Sequence, residues 1–187
     1  MIRKIEEFNK YVAITGYRAV EIGNVEKFLD FLRRVVHPAT VQVFDASLIA
    51  DWQHLFFATL NSLNAFKKKT NISRSLHTEI LLYVSAQHQI RKATEILGVK
   101  SGVSNIAVVI VAETKGQIER ALKQLSEFLS KPSDDEVLSI DENKFRRIKE
   151  VFRISKAEFE SRRGVDRRVE GLKNLVIERV AMLSTKK

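Results

Sequence analysis

Asn105 to Ala112 reads NIAVVIVA, an uncharged run dominated by β-branched side chains. A strand with one wet face alternates apolar and polar residues, so a continuous run of this kind predicts a strand covered on both faces. The rest of the chain supplies the cover. Lys10 to Tyr17 (KYVAITGY), bounded by Gly16, and Thr40 to Phe44 (TVQVF) read as two further strands, and Val137 to Ile140 as a short edge strand. Between them lie segments of helical periodicity. Val25, Phe28, Leu29, Leu32, Val35 and Val36 follow Asn24 as N-cap and stop at His37-Pro38. A long helix runs from Asp45 or Ser47 to about Lys68, apolar around most of its circumference and therefore predicted to be largely buried. Shorter helices follow over Leu76 to Val84, capped by Ser73 or Ser75, and over Ile90 to Leu97, closed by Gly98 as a left-handed residue. Ile118 to Leu129, Phe145 to Phe152 and Val169 to Leu183 complete the set. The fold predicted is α+β: a single domain over 1–187 with a small central sheet of three to four strands surrounded by helices.

Composition narrows the chemistry. The chain has 187 residues, 44% apolar and 29% charged, with a formal charge of +9 and a mean hydropathy of −0.15. That is a soluble globular balance. No apolar run reaches the ~20 residues of a bilayer span, and MIRKIEEFNK lacks a signal peptide's apolar core, so a cytoplasmic protein without membrane contact is expected. The absence of cysteine excludes disulfides, a thiolate nucleophile and Cys-based zinc sites. The glycines form neither a dinucleotide fingerprint nor a P-loop, and His37, His54, His77 and His88 lack metalloprotease spacing. No cofactor and no metal are expected.

Two basic groups flank the helix of Leu76 to Val84. Lys67, Lys68, Lys69 and Arg74 surround one helix junction; Gln87, His88, Arg91 and Lys92 sit at or just after the polar knot SAQHQ, residues 85–89. Cations and amides together suit phosphates and base edges of a single-stranded RNA end, and a solvated charged surface is the competing reading. An acid/base site built from His54, Glu79 and His88 is a minor alternative. Each of those residues also has a structural account, and no nucleophile accompanies them. In the last helix Leu172, Val176, Val180 and Leu183 form one seam, widened by Leu175, Ile177, Ala181 and Met182. Two readings stand there: full burial, or one side on the chain's own core and the other on a partner.

Phe44-Asp45-Ala46, Ala50-Asp51-Trp52-Gln53-His54-Leu55, Asn71-Ile72-Ser73-Arg74-Ser75-Leu76, Glu79 to Leu82 and the block Ser85 to Ile90, in that order, resemble the kinase-binding subunit of the KEOPS complex, also called the PRPK-binding protein family. The strand Asn105 to Glu113, Val137 to Asp141 and the final helix follow in the family's order, so the resemblance spans nearly the whole chain. It implies a non-enzymatic subunit of the machine that installs threonylcarbamoyladenosine in tRNA. The direct partner would be a kinase-like ATPase subunit, gripped by surfaces that include the C-terminal helix, here Leu172, Val176, Ile177, Val180 and Leu183. The tRNA would be held by its single-stranded 3′ CCA end, and other KEOPS subunits contacted indirectly. The alternative is a kinase-regulating adaptor without RNA binding. Three features depart from the family pattern. Ala86 stands where glycine is expected, His88 replaces a fixed cation by a titratable ring, and a basic insertion-like segment occupies about 156–168.

Overall fold

The computed structural model describes residues 1–161 and 168–185. Its centre is one antiparallel sheet of four strands, β1 (Ile2–Ile5), β2 (Lys10–Ile22), β3 (Thr40–Asp45) and β4 (Gly102–Ala112), in the order β1-β2-β4-β3. β4, which contains NIAVVIVA, is an inner strand, and alternation along it feeds two cores. Ala107, Val109 and Val111 face one; Ile106, Val108, Ile110 and Ala112 face the other. Helices α1 (Val25–Val35) and α5 (Lys115–Leu129) cover the second face with Phe28, Leu32, Ile118, Ala121 and Leu125. The first face carries α2 (Trp52–Lys67), α3 (Leu76–Ser85), α4 (Ile90–Leu97), α6 (Glu142–Val151), α7 (Lys156–Ser161) and α8 (Arg168–Ala181). The predicted α+β class is the observed one.

Two glycines act through close approach. β2 does not stop near Gly16 but continues to Ile22, with a register shift between Tyr17 and Val20. Gly16 is needed because the segment 133–138 crosses directly over it. A Cβ there would meet the Asp134 carbonyl oxygen at 2.7 Å and Val137 Cγ2 at 2.2 Å. Asp134 N donates to Gly16 O (2.8 Å), while Thr15 Oγ1 and Gly16 N both donate to Asp135 Oδ1 (2.9 and 3.0 Å). Lys144 Nζ holds the same segment from below, donating to the carbonyls of Val137 and Ser139. Residues 135–138 therefore form a 3-10 turn, not the expected edge strand. Gly16→Ala should cost about 2 kcal/mol, the scale of overpacking against backbone, read as a lowered denaturant midpoint. Likewise Gly98 is extended (φ −66°), not left-handed; its Cβ would lie 2.5 Å from Thr94 O.

Helix starts follow local competition for caps. Asn24 caps α1 as expected, its Oδ1 accepting from Lys27 N. Asp45 caps only a 3-10 turn, Ala46–Leu48, and α2 begins later, where Asp51 Oδ1 accepts from His54 N at 2.9 Å. Neither serine caps α3 with its side chain; the buried Glu79 carboxylate reaches back instead, accepting from Ile72 N and Ser73 N. Of the basic segment at about 156–168, the first part is α7, and residues 162–167 lie outside the described residues.

Candidate nucleic-acid interface

The helix α2 ends in a run of cations because its buried stripe stops at Ala65. Lys67 closes the helix, and the chain then turns through Lys68 and Lys69, whose φ is +57°. α3 follows, buried along nearly its whole length from Glu79 to Ser85, and packs against α2. It ends at Ala86, in the left-handed conformation (φ 51°, ψ 39°), where Ala86 N donates to Tyr83 O and Gln87 N to Leu82 O. The position where the family resemblance predicts glycine thus has the backbone that favours glycine. Ala86→Gly should relieve a left-handed penalty of ~1–2 kcal/mol and lose ~0.5–1 kcal/mol to chain entropy, for a net gain of about 0.5–1 kcal/mol in thermal or denaturant unfolding.

Packing of α2, α3 and α8 against one another brings one residue from each predicted basic group to one place. A cleft of about 720 Å³ is lined by Asn61, Asn64, Ala65 and Lys68 from the end of α2, Thr70 and Ile72 from the connection, Tyr83 from α3, His88 from the knot, and Leu183 and Ser184 after α8. Of the eight residues predicted for RNA, Lys68 and His88 share this cleft. The other six lie outside its lining. Lys67 pairs with Glu7 at 3.1 Å and lies over the Phe8 ring; Arg91 pairs with Glu95 at 2.9 Å; Gln87 Nε2 donates to Ser85 O at 3.4 Å. Lys69, Arg74 and Lys92 are exposed.

The cleft's remaining walls were not legible as a site. Asn61 and Asn64 lie one helical turn apart, a spacing that signals a shared face but not what it meets. Asn61 Nδ2 donates to Phe57 O, which leaves its carbonyl oxygen available as an acceptor. Burial, with Glu79 adding to it, pushes the Tyr83 phenol above its ordinary pKa, so its hydroxyl stays protonated and able to donate. Together these groups offer one cation, one imidazole, amides, hydroxyls and the apolar surfaces of Ile72 and Leu183. That set matches a phosphate, base edges and base faces of a short single strand.

The minor acid/base alternative finds no convergence. His54 is fully buried: Ala50 N donates to its Nδ1 at 3.2 Å, which makes Nε2 the protonated nitrogen, donating to Val84 O at 2.9 Å. Burial pulls its pKa down to about 4, more than the Val84 bond raises it. Glu79 is consumed by the Ile72 and Ser73 amides, while His88 stands at the surface in the cleft. Among the described residues no cluster of three His, Asp or Glu side chains is placed to hold a metal, and no helix is long and apolar enough to cross a membrane.

On α8 the expected partner seam is revised. Leu172, Val176 and Val180 are fully buried and Leu183 is 3% exposed, all in the chain's own core with α2 and α3. A stripe repeating at helical spacing reports that a face is apolar, not whose apolar surface meets it. Ile177 alone of the five is half-buried.

Residues 22–184 match the family described as kinase binding protein CGI-121. The chain belongs to that family. A relative from Methanocaldococcus jannaschii, named regulatory protein Cgi121, is 32% identical over 146 residues, covering 78% of this chain and 84% of the relative. The family match takes in β3, α2, the knot and α8, so both the cleft and the revised seam lie within it.

Proposed function

We propose that this protein is a non-catalytic, cytoplasmic subunit of the KEOPS complex that binds the kinase-like ATPase subunit and recruits tRNA through its single-stranded 3′ CCA end for threonylcarbamoyladenosine modification. Membership of a kinase-binding family supports the first part. The observation that carries the second is the cleft whose lining includes both Lys68 and His88, twenty residues apart in sequence, with Asn61, Asn64 and Tyr83. A net charge of +9 favours a polyanion through counterion release.

The alternative, a kinase-regulating adaptor that leaves RNA to other subunits, makes the same kinase contact and assigns the cleft no ligand. Purified protein mixed at low salt with the partner kinase and separately with tRNA distinguishes the readings. Stable complexes with both are expected. A complex with the kinase only would leave the adaptor; a complex with neither would defeat both.

A further inference from the structure

Glu79 is an unusual core residue. It is 0% exposed, and its carboxylate meets backbone amides rather than a cation: Ile72 N donates to both oxygens at 3.1 Å and Ser73 N to Oε2 at 2.7 Å. A carboxylate taken out of water without a counter-charge depends wholly on such donors. Capping of α3 does not explain it. Ser75 stands at the N-cap and leaves that role unused, its hydroxyl bonded to Thr78 Oγ1 and His77 Nε2 instead. Glu79 reaches past the helix start to amides that precede it, so it holds the connection between α2 and α3 and not the helix itself.

That connection is a wall of the cleft. Thr70 N donates to Ala65 O, Asn71 Nδ2 to Ser73 O and Ser73 Oγ to Ser75 O, so with two amides on Glu79 every residue from 70 to 73 is tied. Thr70 and Ile72 line the cleft, and Lys68 precedes them. Tyr83, one turn after Glu79 on α3, lines it too, and the Glu79 charge adds to burial in keeping its phenol protonated. We propose that Glu79 is a positioning residue for RNA recognition: its buried carboxylate pre-sets the 70–73 wall, so that a single strand settles there without having to order the connection on arrival. This rests on the single-stranded RNA reading of the cleft.

The test uses the full chain and one tRNA, complete and lacking its last three nucleotides. Glu79→Gln keeps the volume but turns one acceptor oxygen into a donor, which cannot serve the Ile72 amide. Asn71→Ala loosens the same connection from outside the cleft lining and leaves Glu79 in place, so it carries the test should Glu79→Gln fail to fold. Gly16→Ala lowers stability on β2, away from the cleft. Glu79→Gln should lose roughly tenfold in affinity for complete tRNA and Asn71→Ala about threefold, both with faster amide exchange at Ile72 and Ser73. Affinity for truncated tRNA should stay within about twofold in both, and Gly16→Ala should bind both forms as the wild type does. Unchanged affinity for complete tRNA despite the faster exchange, or an equal loss in Gly16→Ala, would overturn the positioning role and leave the RNA reading standing. A wild-type chain that binds both forms equally would remove the RNA reading, and the positioning role with it.

Discussion

Acidification from pH 6.5 to 4 is expected to cost the fold about 3 kcal/mol through His54 alone. The folded chain holds this ring neutral, with its pKa drawn from 6.5 down to about 4 by burial. The unfolded chain protonates it at its ordinary value. Within that window the unfolded state therefore binds the additional proton, and stability falls as pH falls, at about 1.4 kcal/mol per unit. Above pH 6.5 the contribution is complete; below 4 both states carry the proton and the loss stops growing. The measurement is denaturant unfolding across this range for the wild type and for His54→Gln, whose amide can still donate to Val84 O but does not titrate. His54→Gln should be less stable at pH 7 and lose about 3 kcal/mol less on acidification. Parallel curves for the two proteins would mean that His54 is not the buried neutral joint between α2 and α3.

The second large effect concerns RNA. Lys68→Glu is expected to lower tRNA affinity roughly tenfold or more at low salt and to reduce the slope of log affinity against log salt by about 0.7, the loss of one contact on a single strand. Lys69→Glu makes the same charge change one residue further on and outside the cleft lining. It should cost no more than about threefold. Equal losses would assign the binding to bulk positive charge rather than to the cleft.

These two residues show what could be seen in the chain before it was folded. NIAVVIVA announced an inner strand because covering both faces removes the polar alternation, a purely local signal. The four-residue β1 carries no such signal; it becomes a strand only by pairing Ile2 with Ala13 and Ile5 with Lys10. Asp45, Ser47 and Asp51 are all competent caps, and only the tertiary position of the 3-10 turn decides that Asp51 starts α2. Both misread glycines were misread for one reason: turn and close approach favour the same residue, and the approaching segment is distant in sequence for Gly16.

The functional residues divide in the same way. Cationic clusters are legible as charge, yet which cations share a cleft depends on how α2, α3 and α8 pack. Sequence reading therefore named Lys68 and His88, which line the cleft, together with six residues outside its lining. Asn61, Asn64 and Tyr83 carry no spacing that distinguishes a cleft wall from an ordinary helix face. The α8 seam was legible as apolar, but not whose apolar surface meets it: Leu172, Val176, Val180 and Leu183 lie in the chain's own core, and Ile177 is half-buried.

The central claim is recognition of a single-stranded RNA end by the cleft of Lys68, His88, Asn61, Asn64 and Tyr83. Its most direct test is a titration of the protein with one tRNA in two forms, complete and lacking the last three nucleotides, at a fixed moderate salt concentration. The complete tRNA should bind with a defined saturable affinity, and removal of the CCA should abolish that binding, leaving only weak salt-sensitive association. Equal affinity for the two forms would contradict the claim.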